Sequence, residues 1–321
     1  MRPRSHSVPD LSKNERRNLF KAFYEDPQSS CLKFSLRPAT FKDEEQALRL
    51  LRELAISEGK SISEIPIVEK KFIEHAYVKK YFNLHVVEYQ NKIVAVALYF
   101  FMTSPFDFKK KILFLNDLYV TPEYRGQGVG TALFEEMSSI AKKDNCSHVK
   151  WELECENKKA QAFYSKMKSF TIEKSSIGCL LLRSELISLL KPLSQSNETS
   201  LDITIIDEKM TNEHTYHFTA KCGEKMVGYI VAYNFYSTSK GYPVLYINDF
   251  LIKANKGKIN EIAKRLLIRV SQKAMGPNQE TKEPTYGRLQ LRILASSGLK
   301  ALFEEIGGEF YTDYSIAQIE V

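Results

Sequence analysis

The sequence predicts a mixed α/β fold built as two copies of one unit, the second copy shortened. Three observations predict it. Strand-like alternation and helix-like spacing interleave along the chain. A glycine-rich loop over residues 121–130 joins a strand pattern to a helix pattern. Three short segments of the first part recur, in the same order, in the second.

The elements follow in chain order. Leu32-Lys33-Phe34-Ser35-Leu36 alternates as a strand does, and Pro38 ends it. Thr40 can cap the helix that follows, where Leu48, Leu51, Leu54 and Ala55 mark one apolar face to about Ser57. Gly59 stops that helix, and a second one is expected from Val68 to Phe82. The apolar runs Leu84–Tyr89 and Ile93–Met102, joined by Gln90-Asn91-Lys92, predict an antiparallel hairpin. Ile112–Val120 is a strand and Thr131–Lys143 a helix with Leu133, Met137 and Ile140 on one face. A strand over His148–Cys155, a helix over Lys158–Met167 and a late strand over Cys179–Arg183 complete the first unit.

The echoes define the second unit. Glu224-Lys225-Met226-Val227-Gly228 echoes Asn91–Ala95, Leu245–Ile252 echoes Phe114–Val120, and Ala301–Ile306 echoes Ala162–Met167. The chain is thus divided into a flexible tail (1–33), a first domain (34–193), a polar linker (194–200) and a second domain (201–321). In the second domain Leu201–Ile206 leads almost directly into the next strand, so its two early helices are missing.

Composition excludes several function classes. Across 321 residues, 43% are hydrophobic and 26% charged, which excludes a wholly disordered chain or a coiled-coil rod. No apolar run is long enough to span a membrane, and the N-terminal segment has no secretory apolar core, so no membrane association is expected. Five scattered cysteines without a CxxC pair argue against a zinc site or a disulfide framework and for a cytoplasmic setting, and no metal is expected. The net charge of +7 is spread along the chain, so no nucleic-acid partner is expected. In the tail, Arg4-Ser5-His6-Ser7-Val8-Pro9 is similar to the phosphoserine motif bound by 14-3-3 proteins, with Ser7 as the phosphate acceptor.

The sharpest chemical signal is Arg125-Gly126-Gln127-Gly128-Val129-Gly130. Glycines let the backbone approach a ligand closely, and the helix that follows offers unpaired N–H groups and its positive dipole end. Together they suit a phosphate. The glycine spacing is neither that of the dinucleotide fingerprint nor that of a P-loop.

This loop resembles the acetyl-CoA pyrophosphate loop of the GNAT N-acetyltransferases, [RQ]xxGx[GA]. The closer resemblance is to the diamine acetyltransferase branch. It is carried by Leu36–Thr40, Leu51–Ala55, Asp117–Val120, Glu123–Gly126, Asn157 and Ala162-Phe163-Tyr164, and covers about Phe34–Leu190. The resemblance implies a tandem GNAT fold and acetyl transfer from acetyl-CoA to an amine. It implies that Arg125, Gly126, Gln127, Gly128, Val129, Gly130 and Thr131 hold the pyrophosphate. Leu118, Tyr119 and Val120 would hold the pantetheine arm on a strand splayed from its neighbour, and Asn157 would bond the cofactor backbone. Tyr164 falls at the family's general acid.

The branch usually carries Glu-Asp on this strand, and here Asn116-Asp117 stand there. An amide cannot take a proton, so Asp117 remains, with Glu58, Glu64, Glu152 and Glu154 as further carboxylates. The branch's Asp-Pro-Trp type stretch is Ser104-Pro105-Phe106 here. The expected acceptor is the primary amine of a small molecule, diamine-like or amino-acid-like. A protein amine, or CoA binding without turnover, are the alternatives. In the second copy one glycine, Gly257, stands in the loop region and Phe303 stands opposite Tyr164, so that copy is expected to be non-catalytic. Diamine acetyltransferases are homodimers, so the second copy is expected to pack on the first as an intramolecular pseudo-dimer, with the chain a monomer.

Overall fold

The structure is a computed structural model that describes residues 34–61, 72, 74–103, 110–167, 169–173, 176–182, 203–209, 215–238, 242–254, 256–275, 288–294, 299–311 and 314–320. The tail with Ser7, the start of the first strand at Leu32, Glu64, Ser104-Pro105-Phe106 and the linker lie outside the described residues.

The strands form two seven-stranded sheets. The first takes β1 (Ser35–Pro38), β2 (Asn83–Tyr89), β3 (Lys92–Thr103), β4 (Lys111–Val120), β5 (Cys146–Glu154) and β6 (Thr171–Glu173) from the first half. The second takes β8 (Ile203–Lys209), β9 (Thr215–Cys222), β10 (Lys225–Ser237), β11 (Tyr242–Ile252), β12 (Arg288–Leu294) and β13 (Glu309–Tyr311). The remaining two strands are exchanged. β7 (Ser176–Leu182) pairs antiparallel with β12 and β13, while β14 (Tyr314–Glu320) pairs antiparallel with β5 and β6. Each sheet is therefore completed by the other half's last strand, and sheet membership does not follow the division at the linker.

Helices cover the first sheet on both faces. α1 (Glu44–Ser57) buries Ala47, Leu48, Leu50, Leu51 and Ala55 against Val86, Ile93, Val96 and Leu98. Its entry is fixed by Arg37, which donates to both Asp43 carboxylate oxygens at 2.7 and 2.8 Å and to Glu88 at 2.6 Å. The Asp43 carboxylate also accepts from the Thr40 backbone N–H and hydroxyl, and these bonds hold its pKa well below the usual carboxylate range. On the opposite face, α2 (Val129–Lys143) buries Leu133, Phe134, Met137 and Ala141, and α3 (Lys158–Tyr164) packs beside it. The α2 face is as expected, except that the helix begins at Val129.

The expected helix to Phe82 stops earlier. Its described end is a single π-turn, Glu74–Val78, after which Lys80 takes a φ of 53°. Phe82 instead turns into the core, 5.1 Å from the Phe72 ring and 4.7 Å from that of Tyr236. Burying that aromatic outweighs continuing the helix. The 84–102 hairpin forms as expected, with Gln90 and Asn91 both at positive φ in its turn.

The second sheet has one long helix, α4 (Lys256–Met275), and a short one, α5 (Leu299–Glu305). α4 packs Ile262, Ala263, Leu266, Leu267 and Val270 on Ile230, Ala232, Leu245 and Ile247. Its close approach needs Gly228, where an added Cβ would lie 3.3 Å from the Ile262 and Leu266 side chains of the helix and 3.0 Å from the Leu251 carbonyl oxygen of β11. The other face of this sheet meets the first sheet directly. Phe100, Met102, Ile112 and Phe114 pack against Val231, Tyr233 and Tyr246. Phe114 and Tyr246, which echo one another in sequence, have their ring centres 6.1 Å apart. Tyr233 donates its hydroxyl to the Thr103 carbonyl at 2.6 Å across this contact.

A fragment of residues 30–193 lacks β14 and leaves β5 with an open edge. Light scattering is expected to find it insoluble, or dimeric through the same strand exchange. A soluble, monomeric and fully active fragment would show the second half to be dispensable.

Candidate active site

The site begins where two parallel strands part. β4 pairs with β5 from Lys111 to Phe114 and no further, although β4 runs to Val120 and β5 to Glu154. β4 stays bonded to β3 as far as Val120, and β5 is held on its other edge by β14. One edge of residues 115–120 is left with backbone N–H and C=O groups open to a ligand. Leu118, Tyr119 and Val120 lie on it.

Asn116 and Asp117 lie at a bulge in the same stretch. Leu98 faces Asp117 while Tyr99 faces Leu115, so Asn116 is the extra residue. Asp117 is half-buried. Its Oδ2 accepts from the Asn116 side-chain amide at 2.6 Å, and its Oδ1 accepts from the Thr238 hydroxyl of the second half at 3.3 Å. Burial, and then the nearby Glu58 carboxylate, push its pKa up to about 7, against the pull of those two donors and of Lys60. Glu58 itself accepts from Lys60 at 2.8 Å. Asn116 thus supports the carboxylate beside it, and the group with proton-accepting chemistry is Asp117.

The loop after β4 is pinned at several points. Thr121 N–H donates to the Val94 carbonyl, and Pro122–Tyr124 form a 3-10 turn. Arg125 Nε donates back to the Val120 carbonyl at 2.8 Å, and its guanidinium lies 5.4 Å from the Tyr119 ring centre. Gln127 donates to the Glu123 carbonyl at 2.9 Å. Gly126 and Gly128 adopt φ of 75° and 81°, the left-handed region, and open space lies where their Cβ atoms would be. Gly128 caps α2, so the N–H groups of Val129, Gly130 and Thr131 start the helix without intrahelical acceptors. This cradle fits a pyrophosphate, and a side chain at Gly128 would fill it.

Tyr164 ends α3 and is buried, 8% exposed. Its ring packs 4.6 Å from Trp151, 5.0 Å from Phe163 and 5.5 Å from Phe134. That apolar setting pushes the phenol well above its ordinary pKa, so it keeps its proton at neutral pH. Asn157 caps α3, its Oδ1 accepting from Ala160 N–H at 3.0 Å. Glu152, considered as a site carboxylate, instead pairs with Arg292 of the second half at 3.4 Å. Thr238 escaped the sequence reading, since a threonine at the end of an echoed strand carries no signal of its own.

The second half shows the same bulge. Val231 faces Asp249 while Ala232 faces Ile247, so Asn248 is the extra residue, and β11 pairs with β12 only as far as Ile247. Only Lys253, Ala254 and Asn255 separate β11 from α4, too few for a cradle. Phe303 is fully buried, 6.2 Å from Phe250.

Comparison with known proteins agrees with this geometry. Residues 45–169 match the Acetyltransferase (GNAT) family. Thialysine N-epsilon-acetyltransferase of Bos taurus is 31% identical over 137 residues, 40% of this chain and 79% of that protein. Among solved structures, a glucosamine N-acetyltransferase region of a fungal multi-domain β-N-acetylglucosaminidase matches 90% of this chain and 38% of its own, at a TM-score of 0.52 and 12% identity. A GCN5-related N-acetyltransferase from Sphaerobacter thermophilus matches 89% of this chain and 95% of its own, at a TM-score of 0.50 and 10% identity. These last two share the fold over nearly the whole chain.

The fold and these matches define an acyl-transferring enzyme. The chain belongs to the GNAT acetyltransferase family and is an N-acetyltransferase.

Gly128→Glu would load a left-handed position with a Cβ and set a negative charge in the cradle. Calorimetry is expected to find acetyl-CoA binding abolished while circular dichroism shows the fold kept.

Proposed function

We propose that this chain transfers acetyl from acetyl-CoA to the primary amine of a small molecule of diamine or amino-acid type. The observation that carries the reading is Asp117, a half-buried carboxylate on the splayed strand whose pKa is pushed up to about 7. Such a group is matched to taking a proton near neutrality, where alkyl amines are almost wholly protonated. The similarity to an enzyme that acetylates the side-chain amine of an amino acid supports the small-molecule acceptor.

GNAT enzymes use acetyl-CoA as co-substrate, and the cradle described above suits its pyrophosphate. Residues Arg125–Thr131 would hold that group, Leu118–Val120 the pantetheine arm, and Asn157 the cofactor backbone. Bound there, acetyl-CoA supplies an acetyl thioester and a thiol leaving group. Asp117 accepts a proton at its carboxylate from the ammonium form of the acceptor, freeing the nitrogen lone pair to attack. Asn116 keeps that carboxylate oriented through its 2.6 Å bond. Tyr164 holds a proton at its phenol oxygen for the departing sulfur, and burial keeps that proton in place until it is needed. The two groups are pushed toward opposite tasks, one to take a proton and one to give it.

The second half acts in this reading as an intramolecular pseudo-dimer partner, and the chain is a monomer.

The test of the acceptor is thiol release from acetyl-CoA with a panel of amines. Thialysine, short diamines and free amino acids with side-chain amines are expected to turn over. Turnover confined to lysines of intact proteins would overturn the small-molecule reading.

Two variants test the roles. Tyr164→Phe keeps the ring among Trp151, Phe163 and Phe134, and is expected to lower kcat by about 10²-fold with acetyl-CoA affinity unchanged. Asp117 must be ionised to act, so kcat at saturating amine should fall as pH drops through about 7. Asp117→Asn is expected to cost about 10²-fold and to remove that acid limb. A Tyr164→Phe enzyme of full activity would reduce Tyr164 to packing.

A further inference from the structure

Asp117 is bonded from both halves of the chain. Asn116, its neighbour on β4, donates to one oxygen, and Thr238 donates to the other at 3.3 Å from 121 residues away in sequence. Glu58 and Lys60, beyond the end of α1, complete the groups whose charge or hydrogen bonding acts on it.

Thr238 is carried there by the end of β10, which is anchored twice in the first half. Tyr236, two residues earlier, is 1% exposed. Its ring lies 4.7 Å from Phe82, 5.1 Å from His75 and 6.2 Å from Phe72, all first-half residues. Tyr233, a further three residues back, holds the Thr103 carbonyl at 2.6 Å. A strand end tied down by two tyrosines has little freedom to withdraw its next residues. The hydroxyl is therefore delivered by packing between the halves and not by chance contact of a loose turn.

We propose that Thr238 is a positioning residue for acetyl transfer. The second half has no glycine cradle among its described residues and carries Phe303 where the first has Tyr164, yet through Thr238 it supplies the hydrogen bond that orients the Asp117 carboxylate in the first half's site. This rests on the reading of Asp117 as the base that takes the acceptor's proton. It also gives the second half a part in the chemistry, beyond filling an interface.

The direction of the effect follows from the donor. A hydroxyl that donates to a carboxylate favours its ionised form, as Asn116 and Lys60 also do, while Glu58 opposes it. Removing the hydroxyl should move ionisation of Asp117 to higher pH.

The experiment uses the full chain with Thr238→Val, which keeps the β-branched shape and removes the donor, and with Thr238→Ser, which keeps the donor. For Thr238→Val, the acid limb of kcat against pH is expected to move up by about half a unit to one unit. At pH 7 kcat should fall several-fold, with acetyl-CoA affinity by calorimetry unchanged. Thr238→Ser should restore the limb. If Thr238→Val does not fold, Thr238→Ala gives the same comparison. Asp117→Asn separates the two ideas. Should Asp117→Asn abolish the acid limb while the Thr238 variants leave it where it was, the role of Thr238 is overturned and the base assignment stands. Should Asp117→Asn keep the wild-type limb, the base assignment fails and takes the role of Thr238 with it.

Discussion

The release of β4 from β5 after Phe114 is the constraint on which the rest of the site depends. A parallel pair that stayed bonded to Val120 would spend its backbone groups on the ladder. By ending the pairing, the sheet leaves residues 115–120 open on one edge while β3 still holds them on the other. The bulge at Asn116 lies in this stretch and sets the direction of Asp117. The glycine cradle starts just beyond it, with Arg125 bonded back to the strand's last carbonyl at Val120. The open backbone edge, Asp117 and the glycine loop are thus fixed to one strand.

On its other edge, away from β4, β5 is covered by β14 from the far end of the chain, while β7 takes the same place beside β12 in the second sheet. The two halves are interlocked by an exchange of last strands as well as by the packing of Phe100 and Phe114 on Tyr233 and Tyr246. Phe114 and Tyr246, which echo one another in sequence, meet in that contact with their ring centres 6.1 Å apart. The second half keeps the strand release and the bulge at Asn248, features of the sheet's own geometry. What it lacks is a counterpart to the 125–130 glycine loop and to the Tyr164 phenol.

Electrostatics in the site follow from burial more than from charge pairing. Asp117 and Tyr164 are both pushed up chiefly by desolvation, with opposite results for chemistry. For the carboxylate, the shift brings proton affinity to neutrality. For the phenol, it keeps the proton from leaving. By contrast, the Asp43 carboxylate is pushed down by Arg37 and has only a structural task, fixing the entry of α1. The motif Leu36–Thr40 that resembles the family has this physical basis.

Much of this protein was legible along the chain, because the signals were local. Apolar spacing marked α1, α2 and the 84–102 hairpin, since one helical face or one strand period is set by neighbours a few residues apart. The loop at 125–130 was visible because left-handed backbone positions call for glycine, and Gly126 and Gly128 do adopt them. The echoes between the halves extend to the matched bulges at Asn116 and Asn248. What tertiary structure alone decided depended on distant pairings. The early stop at Val78 came from the Phe82 ring finding Phe72 and Tyr236, a partner 154 residues along. The exchange of β7 and β14 was invisible because a strand's pattern records that one face is buried, and not which edge it will join. The approach of Thr238 to Asp117 was hidden for the same reason. A hydrogen bond between residues 121 apart leaves no period in the sequence, and exists only because two packed sheets bring their strand ends together.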